Sequence, residues 1–206
     1  ADRLGWLDVA DAMAAEEDRL RTFADVLAAD GIEHVVVCGM GGSSLFPEVL
    51  ARSFPPQAGR PALRVLDTTD PAAVARITHE CPPATTVFVA SSKSGGTIET
   101  LSHLATFLAW ADDPTRFVVV TDPDTPLGDR ATAEHFRALF ENPSDIGGRY
   151  SALSLFGLVP AAAAGLDVGA LLGPARAATS ALRADDPATN TGLRLAAAMA
   201  GGVRAG

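Results

Sequence analysis

From position 91 the chain reads Ser-Ser-Lys-Ser-Gly-Gly-Thr, a run of hydroxyls, one cation and two glycines suited to holding an anion. Apolar residues 87–90 ahead of it predict a buried strand, and residues 97–100 open a helix. A helix N-terminus offers N–H groups without intrahelical partners and partial positive charge, so this strand, turn and helix form a phosphate cradle. Ser92, Ser94 and Thr97 would donate to phosphate oxygens, while the glycines let the backbone come close. Lys93 either screens the phosphate charge or lies in solvent. Glu99, in the first helical turn, either favours the helix dipole or supports a sugar loop. The bland reading of the hydroxyls is that they cap helices.

A second loop of the same kind lies upstream, where the strand Val-Val-Val-Cys at 35–38 runs into Gly-Met-Gly-Gly-Ser-Ser at 39–44. Gly42 and Ser43 are its candidate phosphate ligands, with Gly41 in support. No Gly-Lys-Ser/Thr follows the spacer, and the third glycine of a dinucleotide fingerprint is missing, so nucleotide cofactors are not expected. A third candidate is Arg149, which follows Gly147 and Gly148 in a loop after the last predicted strand. A guanidinium there would face a substrate oxygen; the alternative is a surface salt bridge.

The segments between these loops alternate strand and helix. Strands are predicted over 35–38, 63–66, 86–90, 117–120 and 136–140, with helices over 44–53, 71–80, 97–111 and 126–134. A long amphipathic helix over 9–30 precedes a sheet core of 34–141, and three Ala-rich helices within 152–204 follow it. Residues 53–60 and 121–126 read as surface turns. Such alternation argues for a doubly wound, five-stranded parallel sheet with helices on both faces, which binds ligands at the carboxyl ends of its strands. If the first and third strands are neighbours, as in the flavodoxin-like order, both hydroxyl-rich loops enter one crevice.

Composition narrows the field further. The chain has 206 residues, 48% of them hydrophobic, enough for one sizeable core without a disulfide or metal. Its net charge of −9 opposes nucleic-acid binding. Apolar runs fall short of the roughly 18 residues that cross a membrane, and no signal peptide is read, so a cytoplasmic location is expected. Cys38 and Cys81 show no metal-ligand spacing and read as buried or incidental thiols. His34, His79, His103 and His135 read as surface or structural.

Taken together, three segments resemble a known family. Ser-Lys-Ser-Gly-Gly-Thr-Ile-Glu-Thr at 92–100 is similar to the signature of sugar isomerase (SIS) domains. Gly-Met-Gly-Gly-Ser-Ser-Leu at 39–45 is similar to the first loop of glucose-6-phosphate isomerases, and Gly-Gly-Arg-Tyr-Ser at 147–151 resembles a segment those isomerases have and other SIS proteins lack. The resemblance implies a single SIS domain over 1–206 that binds a sugar 6-phosphate, with Arg149 stabilising the cis-enediol(ate) between glucose 6-phosphate and fructose 6-phosphate. It also implies that the base, a ring-opening His and a Lys come from a second SIS domain and C-terminal segment, so this chain is expected to be the inactive first domain of a longer isomerase. Fused transaldolase isomerases of high-GC bacteria share the Ala-rich character. A surface left uncovered by that second domain would also allow a homodimer. The rival reading is a non-catalytic SIS module that senses a sugar phosphate.

Overall fold

The computed structural model describes residues 3–204, with side chains described through residue 202. Five strands, β1 (His34–Gly39), β2 (Ala62–Leu66), β3 (Thr86–Ser91), β4 (Phe117–Thr121) and β5 (Ala138–Glu141), form one parallel sheet in the order β2-β1-β3-β4-β5. This is the flavodoxin-like order expected from the alternation, and it puts the reversal of strand order between β1 and β3. At the carboxyl end of that pair Gly39 lies opposite Ser91, so the two hydroxyl-rich loops depart side by side.

Period-two alternation divides the core. Val35, Val37, Val87, Val89, Val118 and Val120 face one helical layer, while Val36, Phe88, Ala90, Phe117 and Val119 face the other. The first layer contains α1 (Val9–Ala14), α2 (Glu17–Ala29), α7 (Leu155–Ala163) and α8 (Val168–Leu182), contributing Leu20, Leu27, Leu158 and Leu172. The second contains α4 (Pro71–Glu80), α5 (Ile98–Ala111) and α6 (Pro126–Ala133), and is built around Phe88 stacked on Phe107 at 4.5 Å and on Phe117 at 5.3 Å. Between β1 and β2, α3 (Leu45–Ser53) packs on β2 and α7, and α9 (Thr191–Arg204) rests on α8.

Three details correct the sequence reading. The expected 9–30 helix breaks at Ala15 and Glu16, where the Ala15 and Glu16 amides turn back to Ala12 and Met13; the bend lets α1 pack on α8 while α2 packs on α7. The fifth strand starts at Ala138, not 136, because His135 adopts φ +56° and the Phe136 amide closes the end of α6 on Ala131. The 121–126 segment is no plain surface turn: Thr121 is buried, Asp122 is ion-paired, and Thr125 caps α6 by accepting from the Gly128 amide. Among the described residues no helix is long and apolar enough to cross a membrane.

Candidate functional site

The helices differ in how their N-termini are capped. The N-termini of α4, α6 and α8 are capped by the side chains of Asp70, Thr125 and Asp167. In α3 and α5, which follow β1 and β3, neither Ser44 nor Thr97 makes a side-chain cap. Both site-facing N-termini thus keep backbone donors for a ligand. Of the loop hydroxyls, Ser44 Oγ donates back to the Gly41 carbonyl at 3.1 Å, Ser94 Oγ accepts from the Gly96 amide at 3.2 Å, and Ser92 Oγ accepts from the Thr97 amide at 3.5 Å.

Around these ends lie two adjoining hollows. The smaller, of about 400 Å³, is lined by Met40, Gly42, Ser43, Lys93, Ser94, Thr97, Asp122, Gly148 and Arg3. A larger one, of about 690 Å³, takes in Gly41, Leu45, Phe46, Arg149 and Tyr150, and shares Gly42, Gly148 and Arg3 with its neighbour. The 39–44 loop is locked to the Arg149 loop at the boundary. A methyl on Gly42 would overlap the Gly148 carbonyl oxygen, and Ser151 Oγ lies 2.7 Å from the Gly148 carbonyl and 3.3 Å from that of Gly42. In the 91–97 loop, Gly95 adopts φ +66° and packs against Thr125, leaving no room for a side chain.

Most of the predicted residues thus meet, though not all in the role expected. Gly42, Ser43, Lys93, Ser94, Thr97 and Gly148 share one hollow, and Gly41 and Arg149 line the other. Ser92 is buried and its Oγ is 2.8 Å from Thr97 Oγ1, so it sets the orientation of Thr97 from behind. Glu99 lines neither hollow. The Lys93 side chain does not lie in solvent: its ammonium is paired with the Asp122 carboxylate and donates to the Ser144 carbonyl at 3.0 Å. Arg149 is exposed and pairs with no described carboxylate, so the surface salt bridge is not formed.

The sequence reading missed Asp122 and Arg3. Asp122 follows β4 in an Asp-Pro-Asp run that looks like a plain turn. Arg3 is remote from every motif and carries no local signal. Among the described residues, no group of three or more His, Cys, Asp or Glu is placed to hold a metal ion. Cys38 and Cys81 are free and buried, and burial pushes both thiols up. His103 is 2% exposed, with Nε2 at 2.9 Å from the Thr68 carbonyl, and burial holds its imidazole below the ordinary value.

The chain is similar in sequence and fold to known proteins. The chain is 39% identical over 183 residues to a glucose-6-phosphate isomerase of Thermus thermophilus, an alignment covering 85% of this chain and 42% of that protein. A solved structure from the same organism, described as a hypothetical protein, superposes with a TM-score of 0.80 at 37% identity, covering 88% of this chain and 44% of the other. A glucose-6-phosphate isomerase of Chlamydia trachomatis gives a TM-score of 0.69 at 26% identity over 82% of this chain and 34% of its own. The chain spans about half the length of the first of these relatives, or less. Residues 7–198 match the family model described as phosphoglucose isomerase, and the chain belongs to that family.

Proposed function

We propose that this chain is the phosphosugar-binding unit of an isomerase that interconverts glucose 6-phosphate and fructose 6-phosphate. The observation that carries the reading is the meeting of three loops at one sheet edge: uncapped helix ends, Ser43, Ser94 and Thr97 on one side of Gly148, and Arg149 on the other. The phosphate sits in the smaller hollow and the sugar chain crosses Gly148 toward Arg149. Hollows of several hundred Å³ suit a ligand of this size.

In this reading the loop amides and hydroxyls fix the phosphate and so position C1 and C2. The Arg149 guanidinium then stabilises the negative charge that develops on the enediolate oxygens as a proton leaves one carbon for the other. A fixed charge in a partly enclosed site needs no reorganisation at the moment of reaction, which is why it lowers the barrier. We assign the carboxylate base and the ring-opening groups to the part of the relatives' length that this chain does not span, as a second SIS domain. Exposed Leu45, Val49, Ile98 and Tyr150 near this edge support docking of such a domain over the site.

The test is a coupled isomerisation assay on the protein that carries this chain. Wild type should interconvert the two hexose phosphates, and Arg149→Ala should lower kcat about 100- to 1,000-fold with a much smaller change in KM. Full activity in the variant, or no isomerisation in wild type, would overturn the reading.

A further inference from the structure

Among the described residues, three cations reach this edge of the sheet: Lys93, Arg149 and Arg3. The Lys93 ammonium is held by Asp122 and Ser144, and its charge is balanced by that carboxylate. Arg149 lines only the larger hollow. Arg3 lines both, pairs with no described carboxylate, and runs beside Gly147, where a β-carbon would stand 3.9 Å from Arg3 Cδ.

The residues after Arg3 are tied down at three points. Leu4 bridges Ile146 in antiparallel fashion. The Gly5 amide donates to the Asp145 carbonyl at 3.2 Å, and the Asp145 carboxylate carbon lies 2.5 Å from where a Gly5 side chain would begin. Trp6 stacks on Tyr150, ring centroids 4.9 Å apart and planes 17° from parallel. All three partners belong to the loop that carries Arg149, so the strap over residues 4–6 fixes Arg3 relative to that loop.

Charge indicates the use. A phosphate monoester carries about −1.5 to −2 near pH 7, while hydroxyls and amides supply hydrogen bonds without net charge. With Lys93 balanced by Asp122, the smaller hollow draws its net positive charge from Arg3, in a chain whose overall charge is −9. The planar guanidinium fork also matches two phosphate oxygens at once.

We propose that Arg3 is a substrate-binding residue that neutralises the phosphate in the smaller hollow, held in place by the Leu4, Gly5 and Trp6 contacts. The assignment rests on the phosphosugar reading above.

Steady-state kinetics with Arg3→Ala and Arg3→Lys in the protein carrying this chain test it, with inorganic phosphate as competing inhibitor and thermal melting as the folding control. Arg3→Ala should raise KM for fructose 6-phosphate about 10- to 100-fold, weaken phosphate inhibition in parallel, and lower kcat far less. Arg3→Lys, which keeps the charge but loses the fork, should recover part of the affinity. Unchanged KM and phosphate inhibition in both variants would overturn the assignment while leaving the phosphosugar reading intact, as would a fall in kcat alone, which would mean that Arg3 acts only by bracing the Arg149 loop. A wild type that neither binds nor turns over the phosphosugar would remove the underlying reading, and Arg3 with it.

Discussion

Gly42→Ala should damage the site far more than it damages the fold. A β-carbon there would lie 2.6 Å from the Gly148 carbonyl carbon and 3.2 Å from its Cα, besides overlapping the carbonyl oxygen. Non-bonded carbons rest at about 3.5–4.0 Å, so the 39–44 loop and the Arg149 loop must part by about 1 Å. Both neighbours are backbone, so no rotamer change relieves the clash. Overpacking of this size costs about 1–3 kcal/mol. For a domain of this length that lowers the melting temperature by roughly 3–9 °C. The displacement falls on the boundary between the phosphate hollow and Arg149, where about 1 Å of misplacement costs on the order of 100-fold in rate. The assay is isomerisation and thermal melting on the same preparations. Gly173→Ala on α8, where a methyl meets nothing within 4 Å, is the matched control. If Gly42→Ala melted several degrees lower yet kept near-wild-type activity, the close approach of the two loops would not be what positions the chemistry.

Two further outcomes follow from charge. Asp122→Asn releases the Lys93 ammonium from its counter-ion, so inorganic phosphate should bind about two- to fivefold more tightly, with a steeper loss of affinity on adding salt; calorimetry at two ionic strengths checks this, and weaker binding would contradict it. Burial disfavours the charged form of His103 and lowers its pKa in the fold below the ordinary 6.5 that the unfolded chain keeps. The unfolded state then binds more protons, so stability should fall as pH drops from neutral to about 5.5. Denaturant melts of His103→Gln should show a shallower pH slope. Some slope should remain, since burial and Arg64 lower His34 in the same direction. An unchanged slope would refute the role given to His103.

The sheet was legible because its strands are apolar runs bounded by turn residues, and the phosphate loops because glycine and serine clusters directly after a strand have few other uses. The break at Ala15 and Glu16 was not legible: Ala-Ala-Glu-Glu contains no breaker, and the bend is imposed by packing on two different helices. The start of β5 was misplaced because Phe136 is apolar and buried, yet it packs in the helical layer from the end of α6. Within the site, the residue types of the loops were readable but their division of labour was not. That Ser92 turns inward to Thr97 and that Lys93 is balanced by Asp122 depend on neighbours brought in by other strands. Arg3 reaches the site through contacts with residues 145, 146 and 150, a separation over which no local pattern could signal.

The most direct test of the central claim, one phosphosugar site built from two hydroxyl-rich loops, is calorimetric titration of this chain with fructose 6-phosphate, using fructose and inorganic phosphate as controls. Saturable binding of the phosphosugar, competed by phosphate, absent for fructose, and lost in the Ser43→Ala, Thr97→Ala double variant, is the predicted result. Equal binding by the double variant, or equal affinity for fructose and fructose 6-phosphate, would contradict it.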